Sequence, residues 1–278
     1  MSALPHPNLG VDGHSEAVPD NGEARSPVLR YLAPVSGLAL LFGGWEIYVR
    51  AADVTPLTLP APSRVLDHVF EFPSFYASNG WVTLREALIG YFLALITALV
   101  VATLMAHSRF AERATMPVIV LIQSTPVVVL APVFLLWFGF SPMPKILVAA
   151  LFTFVPFVAN AHTGLRSVDR DTLEVMRSVN ASRREILWHL RLPHALPALF
   201  AAARICVSLA LVGAVVGELY GGSIRGLGYQ ARVAQARSLV DQLWGSVFTL
   251  AFIGIALTLA VMALERRLLR WHESQATL

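Results

Sequence analysis

Six apolar runs, each close to the roughly 20 residues that a helix needs to cross a bilayer, leave this chain little choice of fold. They lie near 31–49, 84–106, 116–138, 144–163, 195–217 and 244–264. Hydrocarbon offers no water to backbone N–H and C=O groups, so segments that cross it singly must be helices. The expected architecture is therefore all-α: a polytopic membrane helical bundle of about six transmembrane helices. Composition agrees, since 56% of the 278 residues are hydrophobic and only 14% charged, with a mean hydropathy of +0.62. An ordinary soluble domain is excluded on that ground, and membrane lipid becomes an obligatory partner. Residues 1–27 are rich in Pro, Gly, Asp, Glu and Ser without apolar periodicity, which predicts a disordered tail. They lack the basic start and apolar core of a cleaved secretory signal. Residues 273–278 form a second short tail. The one cysteine, Cys206, lies inside an apolar run and reads as a small buried hydrophobe.

The arginines set the orientation. Arg109 and Arg113 follow span two, and Arg166, Arg170, Arg177, Arg183, Arg184 and Arg191 follow span four. Arg25 and Arg30 precede span one, while Arg266, Arg267 and Arg270 follow span six. The other side carries Arg50, Arg64, Arg85, Lys145, Arg225, Arg232 and Arg237. The bias predicts both termini and the 164–194 loop in the cytoplasm. On the opposite side, residues 50–83 include an amphipathic stretch in which Val65, Leu66, Val69 and Phe70 share a face. A short interfacial helix capped by Ser63 is expected there.

The 164–194 loop contains the longest polar helical segment, DTLEVMRSVNASRREILWHLRLP at 171–193. Asp171 with Glu174, then Ser182 with Glu185, each show capping-box spacing. Two short helices are expected, with Asn180 as the left-handed turn between them and Pro193 ending the unit. Val175, Met176 and Val179 share a face of the first helix, and Ile186, Leu187 and Leu190 a face of the second. On residues alone this is either a docking helix-turn-helix or a loop resting on the bilayer. Spans flank it too closely for a DNA-reading role, and no nucleic-acid partner is expected.

The segment Glu174-Val175-Met176, then Asn180, then Leu190-Arg191-Leu192-Pro193, resembles the EAA loop of ABC importer permeases. Glu174, Leu192 and Pro193 match that pattern outright and Leu190 conservatively. Val175 and Met176 stand in place of its two alanines, and Asn180 in place of its glycine. LPAPSRVL at 59–66, with LWFG at 136–139 and GLGY at 226–229, resembles the nitrate/sulfonate/taurine-type subfamily. The resemblance implies a type I ABC importer permease fold working as a dimer, a homodimer by expectation. Its coupling set would be Glu174, Val175, Met176, Asn180, Ala181, Ser182, Leu190, Leu192 and Pro193, docked on ABC ATPase subunits. An extracytoplasmic substrate-binding protein would deliver a small solute to the surface formed by 50–83, 139–145 and 219–243. The solute would be nitrate, a sulfonate such as taurine, a pyrimidine vitamin precursor or a flavin.

No cofactor is expected on the chain. Its only lysine, Lys145, lies in Ser-Pro-Met-Pro-Lys-Ile and not in a phosphate-binding loop, so ATP and Mg belong to the partner ATPase. No metal-ligand spacing and no catalytic set stand out, so the chain reads as a transport subunit and not an enzyme. Gln123, Ser124 and Thr125, followed by Pro126, interrupt span three and either line a pathway or kink a packing helix. Asn160, Arg204 and Glu218 are further pathway candidates, because polar groups at membrane depth are costly; Arg204 lies within reach of the cytoplasmic boundary and Glu218 at the outer end of span five, so a structural role is the stronger reading of both. Glu46 and His162 read as structural. A self-sufficient secondary transporter or channel is the alternative; it would want paired intramembrane charges or an internal repeat. An intramembrane enzyme would want His/Glu or Ser/His pairs at depth.

Overall fold

The computed structural model describes residues 27–269, with side chains from residue 35 onward. The two expected tails fall outside these residues, apart from Pro27, which opens the first helix. All regular structure among the described residues is helical: α1 Pro27–Ala51, α2 Pro62–Glu71, α3 Pro73–His107, α4 Arg109–Ser124, α5 Val127–Phe138 and α6 Met143–Arg166. Then follow α7 Arg170–Ser178, α8 Arg183–Ile186, a π-helical turn Leu187–Arg191, α9 Leu192–Tyr220, α10 Leu227–Ala236 and α11 Val240–Leu268.

Small residues build the core. A helix pair in lipid gains no hydrophobic effect by associating, so close backbone approach and dispersion must hold it. α6 is sandwiched between α3 and α9 on this principle. A Cβ added to Gly90 of α3 would lie 2.6 Å from the Ala149 Cβ, and one on Gly213 of α9 would lie 2.6 Å from the Ala149 Cα. Gly217, one turn further along α9, meets the Lys145 Cα at the same distance. Ala87, Ala94, Ala98, Ala202, Cys206, Ala210 and Ala214 extend the fully buried seam. Cys206 points its thiol at the Thr153 carbonyl, the buried place expected of it.

Among the described residues, four helical units are long and apolar enough to cross a membrane: α3, α6, the continuous Arg183–Tyr220 unit and α11. The third expected span is a correction. It is not one rod over 116–138 but α4 and α5, bent by 96° at the break. Pro126 lacks an N–H and restrains Thr125 to an extended conformation, which stops α4 there. α3 also starts at Pro73, well before the expected 84, and its early turns bury Asn79 and Thr83, which bond the start of α10 instead of lying in a loop.

Two start signals were misplaced. α2 has Pro62 at its first position and Ala61 as its cap residue, so Ser63 is not the cap. Its N–H and hydroxyl both donate to Glu46 of α1, at 3.1 and 2.7 Å. α7 is capped by position 169, with Asp171 already inside the first turn. The amphipathic face of α2 is split: Val65 is fully buried, while Phe70 is 76% exposed.

Candidate functional site

The two short helices at 170–186 close one end of the bundle. Asn180 has φ +55°, the left-handed conformation that Asn adopts more readily than other side-chain-bearing residues. The N–H of Asn180 donates to the Arg177 carbonyl (2.9 Å) and that of Ala181 to the Met176 carbonyl (3.0 Å). That pair of bonds is a Schellman motif, which satisfies the last carbonyls of α7. Two residues on, Ser182 Oγ accepts from the Glu185 N–H at 3.2 Å, and the Ser182 N–H donates to Glu185 Oε2 at 2.6 Å. This is the predicted capping box. Hydrogen bonding to its carboxyl from the Ser182 side chain and from the Ser182 N–H holds Glu185 below the usual carboxylate range.

The faces of α7 have distinct chemistry. Leu173 and Arg177 line a space shared with the end of α3 and with α8 and Met176 is half-buried, so the expected common face of Val175, Met176 and Val179 is split: Val175 and Val179 are 64% and 69% exposed. Glu174 is exposed beside them and makes no hydrogen bond or ion pair with a described residue. An outward apolar face flanked by an unengaged carboxylate is a docking chemistry.

Pro193 does not end the unit. The helix runs on through Leu192 and Pro193 into α9, because residues Leu187–Arg191 are wound as a π turn. The Leu192 N–H reaches back five residues to Leu187. The wider turn absorbs a proline that has no N–H to give and whose ring would crowd a regular turn. Leu190, Leu192 and Pro193 therefore lie on one continuous rod with Ser182, half-buried along it.

The polar residues proposed to line a pathway are not assembled. No hydrogen bond or ion pair among the described residues joins any of Gln123, Ser124, Thr125, Asn160, Arg204 and Glu218 to another. Gln123 and Ser124 are exposed at the α4–α5 bend, where Thr125 bonds the Leu121 carbonyl. The Asn160 amide donates to the Pro156 carbonyl. Arg204 of α9 pairs with Glu265 of α11 at 2.9 Å. His162 and Arg166 of α6 face Glu112 of α4, with Arg166 at 2.5 Å.

Glu218 has a different role. It is fully buried and accepts from the Thr83 hydroxyl at 2.6 Å and from the Gly228 N–H at 2.5 Å. Thr83 in turn accepts from the Leu227 N–H at 2.9 Å, and Asn79 Oδ1 from the Gly226 N–H at 3.1 Å. Side chains of α3 and α9 thus satisfy the first donors of α10, which an isolated helix leaves orphaned. Gly226, at φ +104°, has its Cα against the carboxylate, so any Cβ there would strike Glu218. Glu86 and Lys145 are buried nearby, each only 3% exposed. Lys145 donates to the Ser141 carbonyl at 2.7 Å. Sequence reasoning missed α10 and this cluster; the only signal was the Gly-Leu-Gly-Tyr run itself.

Residues 90–272 match the family model described as "Binding-protein-dependent transport system inner membrane component". A formylaminopyrimidine transport permease protein, ThiX of Halalkalibacterium halodurans, is 33% identical, covering 88% of this chain and 97% of that one. The riboflavin transport system permease protein RibX of Chloroflexus aurantiacus is 36% identical over 85% of this chain and 89% of its own. The taurine transport system permease protein TauC of Escherichia coli is 30% identical, covering 86% and 89%. In shape, an inward-facing structure of the MetNI methionine ABC transporter superposes with a TM-score of 0.60 at 17% identity, over 68% of this chain and 93% of that one.

Proposed function

The chain belongs to the family of binding-protein-dependent transport system inner membrane components, and from that premise we propose how it works as an ABC importer permease. Two copies enclose the solute path, and a separate ATPase binds the outward face of α7 at Glu174, Val175 and Val179. The observation carrying this reading is that face: two exposed valines and an unengaged carboxylate, fixed in angle by the Asn180 turn and the Ser182–Glu185 box. ATP and Mg sit on the ATPase, whose closure rocks the spans in alternating access. An extracytoplasmic binding protein presents solute at the opposite end, around α2 and α10. Both termini and the 164–194 loop are cytoplasmic, and six spans result when α1 and the bent α4–α5 pair are each counted as one.

The solute is a small heterocycle of the pyrimidine or flavin kind. The relatives at 33% and 36% identity are named for such compounds. Electrostatics argues the same way. A sulfonate would call for a free cation along the path, whereas Arg204, the pathway candidate that carries positive charge, is committed to Glu265. Charge already compensated has little left for an anion. A sulfonate remains the second reading, supported by the taurine relative.

One experiment addresses the assembly. A cysteine at Val175, the native Cys206 being fully buried, should cross-link to an ATPase that co-purifies with the chain. In intact cells, cysteines at Ser63 and Arg232 should react with an impermeant thiol reagent and one at Ser182 should not. Absence of any ATPase from the purified complex, or labelling at Ser182, defeats the reading. Thermal-shift screening of the partner binding protein against pyrimidines, flavins and sulfonates decides the solute.

A further inference from the structure

Behind the docking face lies a second surface of opposite character. Leu173, Arg177, Arg183, Ile186 and Arg191 line a cavity of about 390 Å³, closed on its far side by Ala106 and His107 at the end of α3. Three guanidiniums and an imidazole thus surround one space whose lining contains no acidic residue. None of the three arginines forms an ion pair with a described residue. Arg191 donates from Nη1 to the Ala106 carbonyl at 3.1 Å, which leaves its Nε buried without a partner. Burial, with Arg177 and Arg166 nearby, holds the Arg191 guanidinium below the usual arginine range. Like charges gathered without compensation repel, and a bound anion converts that cost into charge-assisted hydrogen bonds.

The surroundings say which anion. Ile96, Val100 and Leu104 stand eleven, seven and three residues before His107, so helical geometry puts them in one stripe beneath it. They are 62%, 55% and 58% exposed, an apolar strip leading straight to the basic cavity. Trp188, on the π turn, is 60% exposed, as befits an indole at the membrane–water boundary. A basic cavity at the end of an exposed apolar strip has the two-part chemistry of a phospholipid.

We propose that this cavity binds the phosphodiester headgroup of an anionic phospholipid, with its acyl chain along Leu104, Val100 and Ile96. Such a lipid bridges α3 to the two short helices, tying the position of the α7–α8 unit to membrane composition. The proposal takes its leaflet, the cytoplasmic one, from the orientation proposed above; headgroup binding in detergent does not depend on it.

The test is native mass spectrometry of the full chain, purified with its ATPase, titrated with phosphatidylglycerol or with phosphatidylcholine of the same acyl chains. Retention of phosphatidylglycerol should exceed that of phosphatidylcholine by on the order of tenfold. Arg177→Gln combined with Arg183→Gln should abolish the preference. Both side chains are exposed and unpaired, so folding is not at stake. Arg184→Gln, outside the cavity, should retain it, and millimolar inorganic phosphate should not displace the lipid. Equal retention of the two lipids, an unchanged preference in the double variant, or displacement by phosphate each overturns the proposal. Failure of the ATPase to co-purify instead strikes the assembly reading and leaves the lipid measurement intact on the chain alone.

Discussion

The carboxylate of Glu218, in the last turn of α9, lies 2.5 Å from the backbone N–H of Gly228, in the first turn of α10. Thr83 of α3 bonds both partners' neighbourhoods, donating to Glu218 and accepting from Leu227. Three helices meet in that one set of bonds, with no room for a Cβ at position 226. Glu46 does the same for α2, receiving the Ser63 N–H and hydroxyl. Each short helix on this side of the bundle starts on an acid borrowed from a long one.

Removing that acid should release α10. Glu218→Ala leaves the Gly228 N–H buried without its carboxylate and the Thr83 hydroxyl with only its longer bond to the Asn79 carbonyl, at 3.3 Å, a cost of about 1–3 kcal/mol. The midpoint of thermal unfolding in detergent should fall, and limited proteolysis should cut within 221–239. Unchanged melting with an intact 221–239 segment would refute the capping role.

Asn180 tests the turn. Asn180→Gly should be neutral, since glycine adopts positive φ freely. Asn180→Val should cost about 1–2 kcal/mol locally, splay α7 from α8 and abolish solute-stimulated ATPase activity while the chain still inserts. Full transport by the valine variant in proteoliposomes would show that the angle does not matter.

The capping box carries a pH dependence of known sign. The folded Glu185 carboxyl lies below its ordinary range, so its contribution is present at neutral pH, begins to fade near the ordinary carboxylate value and is gone below the folded one. Amide exchange across 182–186 should speed up as the pH is lowered into that window, after correction for intrinsic rates. In Glu185→Gln the corrected rates should be flat with pH.

The α6–α9 seam tolerates no added volume. Gly213→Leu drives a side chain into the Ala149 backbone, and overpacking of this kind costs about 1–3 kcal/mol or more. The variant should melt earlier than wild type. Gly254→Ala is the control, because a Cβ there meets only Leu211 at 3.5 Å.

Arg204 and Glu265 should behave as a pair. Their partial exposure, 37% and 13% for the side chains, limits the coupling to about 1 kcal/mol. Each charge reversal alone should destabilise, and Arg204→Glu with Glu265→Arg should recover most of the loss in a double-mutant cycle. Additive losses would mean that the two do not interact.

What could be read from the sequence was whatever local chemistry encodes. The Ser182–Glu185 box needs residues three apart, and the Asn180 turn needs one residue type, so both were legible. The burial of Cys206 and the weakness of the third span at Pro126 were legible for the same reason. The α10 cluster was not, because Asn79 and Thr83 find their α10 partners 147 and 144 residues away, respectively; alone they resemble loop. Pro193 misled for a subtler reason: the rule that a proline ends a helix assumes regular winding, and a π turn sets that assumption aside. Arg204 looked like an isolated intramembrane charge until the fold brought Glu265, 61 residues later, beside it.

The unbroken passage from Arg183 through the π turn to Tyr220 has a mechanical corollary. Its 38 residues, at about 1.5 Å each, make a shaft of roughly 57 Å. Ser182 adjoins one end and Glu218 belongs to the other. Tipping such a shaft by about 5° around its middle displaces each tip by roughly 2–3 Å, in opposite directions. That travel is comparable to the length of a hydrogen bond, so a displacement at the Asn180 corner that tips the shaft as one body would be felt at its Glu218 end on the scale of a single contact.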